Sequence, residues 1–233
     1  MMKTWGKDIP CLYIITDEDI PNTPNSINIG NYSYDQLTMK SYLMWEFAFN
    51  HFGADKKWFI KIDDDSYLFY DNLFSKLSSL DFEKPHVLGE VTGSINKDWI
   101  QGGPGIVLSR DSLEKLIHDL DQNPEQKQFF QEYPLGEDVA ISKAFKRMKI
   151  SLTDVSGFYS TSRCSFRDME NTIAIHPIKP ISMRVLHLVT KFRGTFPYRL
   201  FGFFVSMRFL KGKYGIRTKF LAFFKIKRKP KNK

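Results

Sequence analysis

WFIKIDDDSYLFYDNL, residues 58–73, decides how this chain is read: an apolar run that ends in three adjacent carboxylates. Trp58, Phe59, Ile60 and Ile62 have the aromatic and β-branched character of a buried strand. Asp63, Asp64 and Asp65 follow where that strand stops, and open α/β sheets bind ligands in the crevice beyond the carboxyl ends of their strands. Three neighbouring carboxylates repel one another, so holding them beside an apolar strand costs free energy unless a cation or hydrogen-bond donors offset it. A divalent metal bridging two phosphates would do so. An acidic turn capping the next helix, where negative charge is also favoured, is the alternative these residues leave open.

Working outward, residues 12–16 read as a buried strand that gives way to an acidic, Pro/Asn-rich loop over 17–26. From about Ser33, Leu37, Met44, Trp45, Ala48 and Phe52 fall on one helical face, and Gly53 supplies a stop. Strand, helix, strand is the βαβ grammar of an open α/β sheet. Downstream of the triplet, Leu73, Phe74, Leu77 and Leu80 mark a helix, and Val87 and Leu88 a short strand ending at Gly89. Residues 105–108 read as a strand, followed by a helix in which Leu113, Leu116, Ile117 and Leu120 keep helical spacing. A polar loop spans 121–136. A further helix carries Ile141, Ala144, Phe145 and Met148 on its apolar face, and a strand lies near 150–155.

The length of 233 residues suits one α/β domain with an appended segment. An aromatic content of 15% argues against disorder over most of it. The net charge of +8 conceals a division, because Glu170 is the last acidic residue. Residues 1–170 hold 18 Lys+Arg against all 26 Asp+Glu, net −8, and residues 171–233 hold the other 16 basic residues, net +16. A negative body repels phosphate backbones, which argues against a nucleic-acid-binding module. The basic, aromatic end leaves three roles open: lying on an anionic membrane surface, binding nucleic acid, or packing Phe201, Phe203 and Phe204 on the domain. About the last ten residues, ending KIKRKPKNK, are expected to be disordered. No run reaches the apolar length of a membrane span, and the opening MMKTWGKDIP lacks the apolar core of a signal peptide. Two cysteines, Cys11 and Cys164, are too few for a disulfide scaffold and are expected as buried free thiols.

Three more stretches carry chemistry. Gly102, Gly103 and Gly105, around Pro104, permit either a close backbone approach to a ligand or a tight turn before a strand. Glu137 and Asp138 open a helix, where the dipole lowers carboxylate pKa values and where ordinary capping is an equal reading. His176 sits in an Ile-His-Pro context that His51, His86, His118 and His187 lack.

Taken in order, WFIKIDDDSYLFYDNL, QGGPGIVLSRDSLEKL (101–116), LGEDVAISKAFK (135–146) and IAIHPIKP (173–180) resemble the fringe-like β1,3-glycosyltransferase family. Core 1 galactosyltransferase-like members look nearest, and the GGPG form is similar to that of chondroitin synthases. The resemblance spans roughly residues 4–180 and implies a GT-A, Rossmann-like α/β fold with a central mixed sheet. It makes the triplet a DXD motif that binds the ribose and a manganese ion. Asp65 would ligate the metal, Asp63 would contact the ribose or share the metal, and Asp64 would support them. His176 would be the other protein ligand, and an oxygen-rich site with one imidazole suits Mn²⁺ better than Mg²⁺. Gly102, Gly103 and Gly105 would line the sugar pocket, with Pro104 in place of the family's usual Ala. Asp138 would be the general base, with Glu137 a close rival.

The implied reaction is inverting transfer of a sugar from a UDP-sugar donor to a hydroxyl of a glycan or glycoprotein acceptor. Galactose stands ahead of N-acetylglucosamine and glucuronic acid, and a non-catalytic carbohydrate-binding relative is the alternative. The family also implies a Golgi address, and the basic, aromatic composition of 191–233 adds an expected peripheral membrane contact. The pattern is joined near Thr4 and Trp5, so the family's first strand is expected to be missing. The catalytic domain is expected over 1–180 and the basic segment over 181–233.

Overall fold

Apolar runs separated by amphipathic stretches fold into a mixed α/β structure. The computed structural model describes residues 3–9, 11–23, 25–33, 36–93, 99–134, 136–160 and 170–191. After a 3₁₀ turn at Trp5–Asp8 come β1 (Ile14–Thr16), β2 (Ser26–Asn28), α1 (Leu37–Phe52), β3 (Trp58–Lys61), β4 (Tyr67–Leu68) and α2 (Tyr70–Leu77). Next are β5 (Val87–Gly89), β6 (Val91–Thr92), β7 (Trp99–Ile100), β8 (Ile106–Ser109), α3 (Arg110–Gln122) and α4 (Pro124–Gln131). The series ends with α5 (Glu137–Arg147), β9 (Leu152–Asp154), β10 (Phe158–Tyr159), β11 (Ala174–Ile175) and α6 (Pro180–Lys191).

The central sheet is mixed, as expected, in the order β3-β8-β5-β9. β8 runs antiparallel to both β3 and β5, while β5 and β9 are parallel. A smaller sheet, β10-β11-β4, pairs β11 antiparallel to β4. Val107 and Leu108 at the centre of β8 are fully buried. Helix α3 covers one side of the sheet with Leu113, Leu116, Ile117 and Leu120, each at most 2% exposed. Such side chains contribute about 1.5–3 kcal/mol apiece. On α5, Ile141 and Phe145 are fully buried, as their spacing indicates.

Several expectations need correction. β1 and β3 do not form the expected βαβ pair: among the described residues β1 pairs with β2, and β3 is an edge strand beside β8. Helix α1 buries Thr38, Ser41, Tyr42 and Trp45, leaving Leu37, Met44, Ala48 and Phe52 half-buried. The reason is α4, which lies within the stretch read as a polar loop. Proline suits the first turn of that helix, and its Phe130 is 1% exposed. Thr38 donates to the Gln131 carbonyl at 2.7 Å, and Phe130 meets the Tyr42 ring edge-on. Small polar residues thus occupy the face that an apolar count passes over. Phe74 is 62% exposed, so α2 packs through Leu73 and Leu77 alone. Cys11 is a free thiol at the surface rather than in the core.

Helix α6 places Met183 and Leu186 in the core beside Tyr67 and Ile175. Cys164 and the basic segment from 192 onward lie outside the described residues. Among those described, no helix is long and apolar enough to cross a membrane.

Candidate active site

Strand pairing assembles the site. β4 begins one residue after the triplet, past Ser66, and β11 ends directly before His176, and their antiparallel register sets Ile175 opposite Tyr67. One step further along each strand brings His176 beside the triplet. Ile178 extends the pairing by donating to the Asp65 carbonyl at 2.7 Å. As a result, His176 Nε2 lies 3.2 Å from Asp65 Oδ1 and 3.6 Å from Asp63 Oδ2. One donor atom from each of Asp63, Asp65 and His176 falls within 4.8 Å of the other two. Asp64 is exposed and stands outside this trio. The triplet does not cap α2, whose N-cap is Phe69 without a side-chain cap bond.

A second register delivers the glycine loop. Lys61 pairs with Ile106 across β3 and β8, so residues 102–105, just before β8, lie against the triplet just after β3. The Gly103 carbonyl accepts from the Asp63 amide at 3.3 Å and from Ser66 Oγ at 2.8 Å. A side chain on Gly103 would overlap the His176 ring, so the absence of a Cβ there makes room for the imidazole. Gly105 has φ +127°, a conformation that side chains resist. The loop therefore does more than turn the chain, since its backbone is packed against the carboxylates and the histidine.

The third component is the head of α5. Its N-cap is Gly136, with no side-chain cap bond. Glu137 instead turns to Lys61, whose Nζ also donates to Asp63 Oδ1 at 2.5 Å. Asp138 Oδ1 accepts from the Val139 amide at 2.8 Å. A Cβ on Gly102 would stand 3.0 Å from Glu137 Oε1 and 3.5 Å from the Asp138 Cβ. Burial pushes the Asp138 carboxyl above the usual carboxylate range, against hydrogen bonds from Val139 and Gly102 and the charge of Lys61. The direction is opposite to the lowering expected at a helix N-terminus, because desolvation outweighs those hydrogen bonds and that charge. Burial pulls the Lys61 ammonium down, but Glu137 and Asp63 outweigh burial and leave it raised.

A profile of the Fringe-like family matches residues 1–184. The chain belongs to the Fringe-like family. Its mixed α/β architecture is that of a Fringe-like GT-A glycosyltransferase. It is 29% identical over 180 residues to glycoprotein-N-acetylgalactosamine 3-beta-galactosyltransferase 1 of Xenopus laevis, a match covering 76% of this chain and 43% of that protein. It is 28% identical over 119 residues to chondroitin sulfate synthase 3 of Homo sapiens, covering 46% of this chain and 13% of the synthase. The Mus musculus synthase matches equally. The chain thus spans less than half the length of these relatives, which are glycosyltransferases, and a transferase is the class they support.

Within this Fringe-like frame the four motifs meet as one site, but three contributors escaped the sequence reading. Lys61 is one. A charged residue between Ile60 and Ile62 on an apolar strand is the signal that marks it. The others are Ser66, fully buried, and Trp5, whose Nε1 donates to the Ser66 carbonyl at 2.9 Å and props the triplet loop from beneath. His187 belongs to a separate buried network, 3.2 Å from the Tyr67 hydroxyl, and burial lowers its pKa.

Proposed function

We propose that this chain is an inverting, manganese-dependent β1,3-glycosyltransferase that moves a sugar, galactose first, from a UDP-sugar to a hydroxyl of a glycan or glycoprotein. The observation that carries the reading is the convergence of Asp63, Asp65 and His176 beside a glycine loop that also touches the half-buried head of α5.

Two carboxylates and one imidazole form a hard-oxygen site with a single borderline nitrogen, which suits Mn²⁺. Asp63, Asp65 and His176 would hold the ion, which when bound supplies positive charge to offset that growing on the departing diphosphate. Asp64 would support the triplet from its exposed position. Gly102, Gly103 and Gly105 would let backbone approach the donor closely.

Asp138 accepts the proton of the acceptor hydroxyl as that oxygen bonds to the anomeric carbon. The bond from this carbon to the diphosphate oxygen breaks on the opposite side, so the configuration inverts. Burial gives Asp138 a higher proton affinity than an exposed aspartate, which favours a general base working near neutral pH. Glu137 is already committed to Lys61, which supports Asp138 as the base and Glu137 as its neighbour. A single displacement needs no carboxylate nucleophile.

Galactose is placed first because the relative matched over 76% of the chain is named a galactosyltransferase. The membrane contact of 191–233 belongs to the same reading, beyond a catalytic domain that the packing of α6 carries past residue 180, and liposome flotation of a chain lacking 201–233 tests it.

The direct test is incubation with UDP-galactose, Mn²⁺ and an N-acetylgalactosaminide acceptor, with the linkage read by NMR. A β-linked product is expected. An α-linked product, or no transfer from any UDP-sugar, contradicts the proposal.

A further inference from the structure

Lys61 is the last residue of β3, and its side chain is only 11% exposed. A lysine buried to that extent needs partners, because an uncompensated charge in the interior is costly. It has two, drawn from segments far apart in sequence: Asp63 Oδ1 at 2.5 Å, and Glu137 Oε1, 76 residues away. The other oxygen of Asp63 is the one 3.6 Å from His176 Nε2. Asp63 therefore has one oxygen held by Lys61 and one directed at the trio. On the far side, Glu137 is the first residue of α5 and the neighbour of Asp138. Gly102 keeps the space beside the tie clear, since a Cβ there would stand 3.0 Å from Glu137 Oε1.

A lysine serving stability alone needs any one carboxylate. Lys61 takes one from each of the two segments that the transfer reaction requires in register. We propose that Lys61 is a positioning residue for the reaction, gripping Asp63 and Glu137 together so that the metal-holding triplet and the base-bearing head of α5 keep a fixed separation. The inference rests on the function proposed above. It adds a tie between donor side and acceptor side that joins the first of the four motifs to the third.

Displacing reacting groups by about 1 Å can cost roughly 100-fold in rate. Lys61→Met is therefore expected to lower kcat by roughly that factor, with the KM for UDP-sugar within threefold of wild type. Lys61→Arg keeps the charge but replaces a single nitrogen by a planar fork, and is expected to recover part of the rate while remaining about tenfold below wild type. In a Glu137→Gln background, where one end of the tie is already cut, the added loss from Lys61→Met is expected to fall below tenfold.

Hydrogen exchange supplies a readout independent of turnover. The Ser66 and Val139 amides, one in each tied segment, are expected to exchange at least fivefold faster in Lys61→Met, while Val107 in the centre of β8 is unchanged. A folded Lys61→Met that keeps kcat within tenfold of wild type, or that loosens β8 as much as the two tied segments, overturns the inference. If Lys61→Met does not fold, Lys61→Arg at wild-type kcat overturns it. Wild-type protein that neither binds UDP with Mn²⁺ nor transfers sugar defeats the function proposed above instead. The two failures are thereby separated.

Discussion

The end of β3 and the head of α5 both present aspartates, yet they give them opposite surroundings. Asp63 and Asp65 have side chains 37% and 49% exposed, with an imidazole beside them. Asp138 is half-buried behind the glycine loop, its carboxyl raised by desolvation. An exposed pair of carboxylates beside a nitrogen donor is organised to take a cation from solvent. A desolvated carboxylate is organised to take a proton. Environments that set like groups to different tasks are how one site divides charge neutralisation from base catalysis.

The largest effect expected from breaking this division comes at the buried side. Asp138→Asn removes the base and is expected to lower turnover about 10²- to 10⁴-fold, while UDP affinity in Mn²⁺ by calorimetry stays within threefold. Wild-type initial rates would take Asp138 out of the reaction. On the exposed side, His176→Ala is expected to weaken Mn²⁺ binding by more than the roughly 10-fold that losing even an outer-shell partner costs, as read by electron paramagnetic resonance titration. Unchanged affinity would exclude the imidazole as a ligand.

Gly103→Ala probes the junction of the two. The added methyl group displaces the His176 ring, and overpacking of this kind costs about 1–3 kcal/mol of stability, measurable by urea unfolding. Mn²⁺ binding is expected to weaken alongside it. Loss of neither would mean that the ring yields freely.

The smallest expected effect sharpens the contrast through pH. A carboxyl whose folded pKa is raised binds protons more tightly in the folded state, so its ionised form opposes folding. That penalty is full above the folded pKa and fades as pH falls toward the unfolded value of 3.8. Asp138→Asn is therefore expected to raise Tm slightly at pH 7, with the gain shrinking on acidification. A gain that grows toward low pH would contradict the raised value.

The sequence carried much of this because the site is built from residues adjoining strand ends. Where a strand is strongly apolar, as at Trp58–Lys61 and Ile106–Ser109, its limits locate the triplet and the glycine loop. The pairing of β4 with β11 was not legible, since two-residue strands leave no alternation to read. For that reason the nearness of His176 to Asp65 came from family resemblance and not from spacing. Lys61 was hidden by its type: lysine reads as surface until its sequence neighbour Asp63 and the distant Glu137 are found to enclose it. Helix α4 was hidden by a polar composition around one buried anchor, Phe130, and its absence from the reading turned the inferred face of α1 away from Tyr42.

Calorimetric titration of UDP into wild-type protein and Asp65→Ala, each with and without Mn²⁺, tests the central claim most directly. Binding is expected in the wild type only when Mn²⁺ is present, and is expected to be lost in Asp65→Ala. Equal UDP affinity with and without the metal, or an unaffected Asp65→Ala, would contradict a cation held by Asp63, Asp65 and His176.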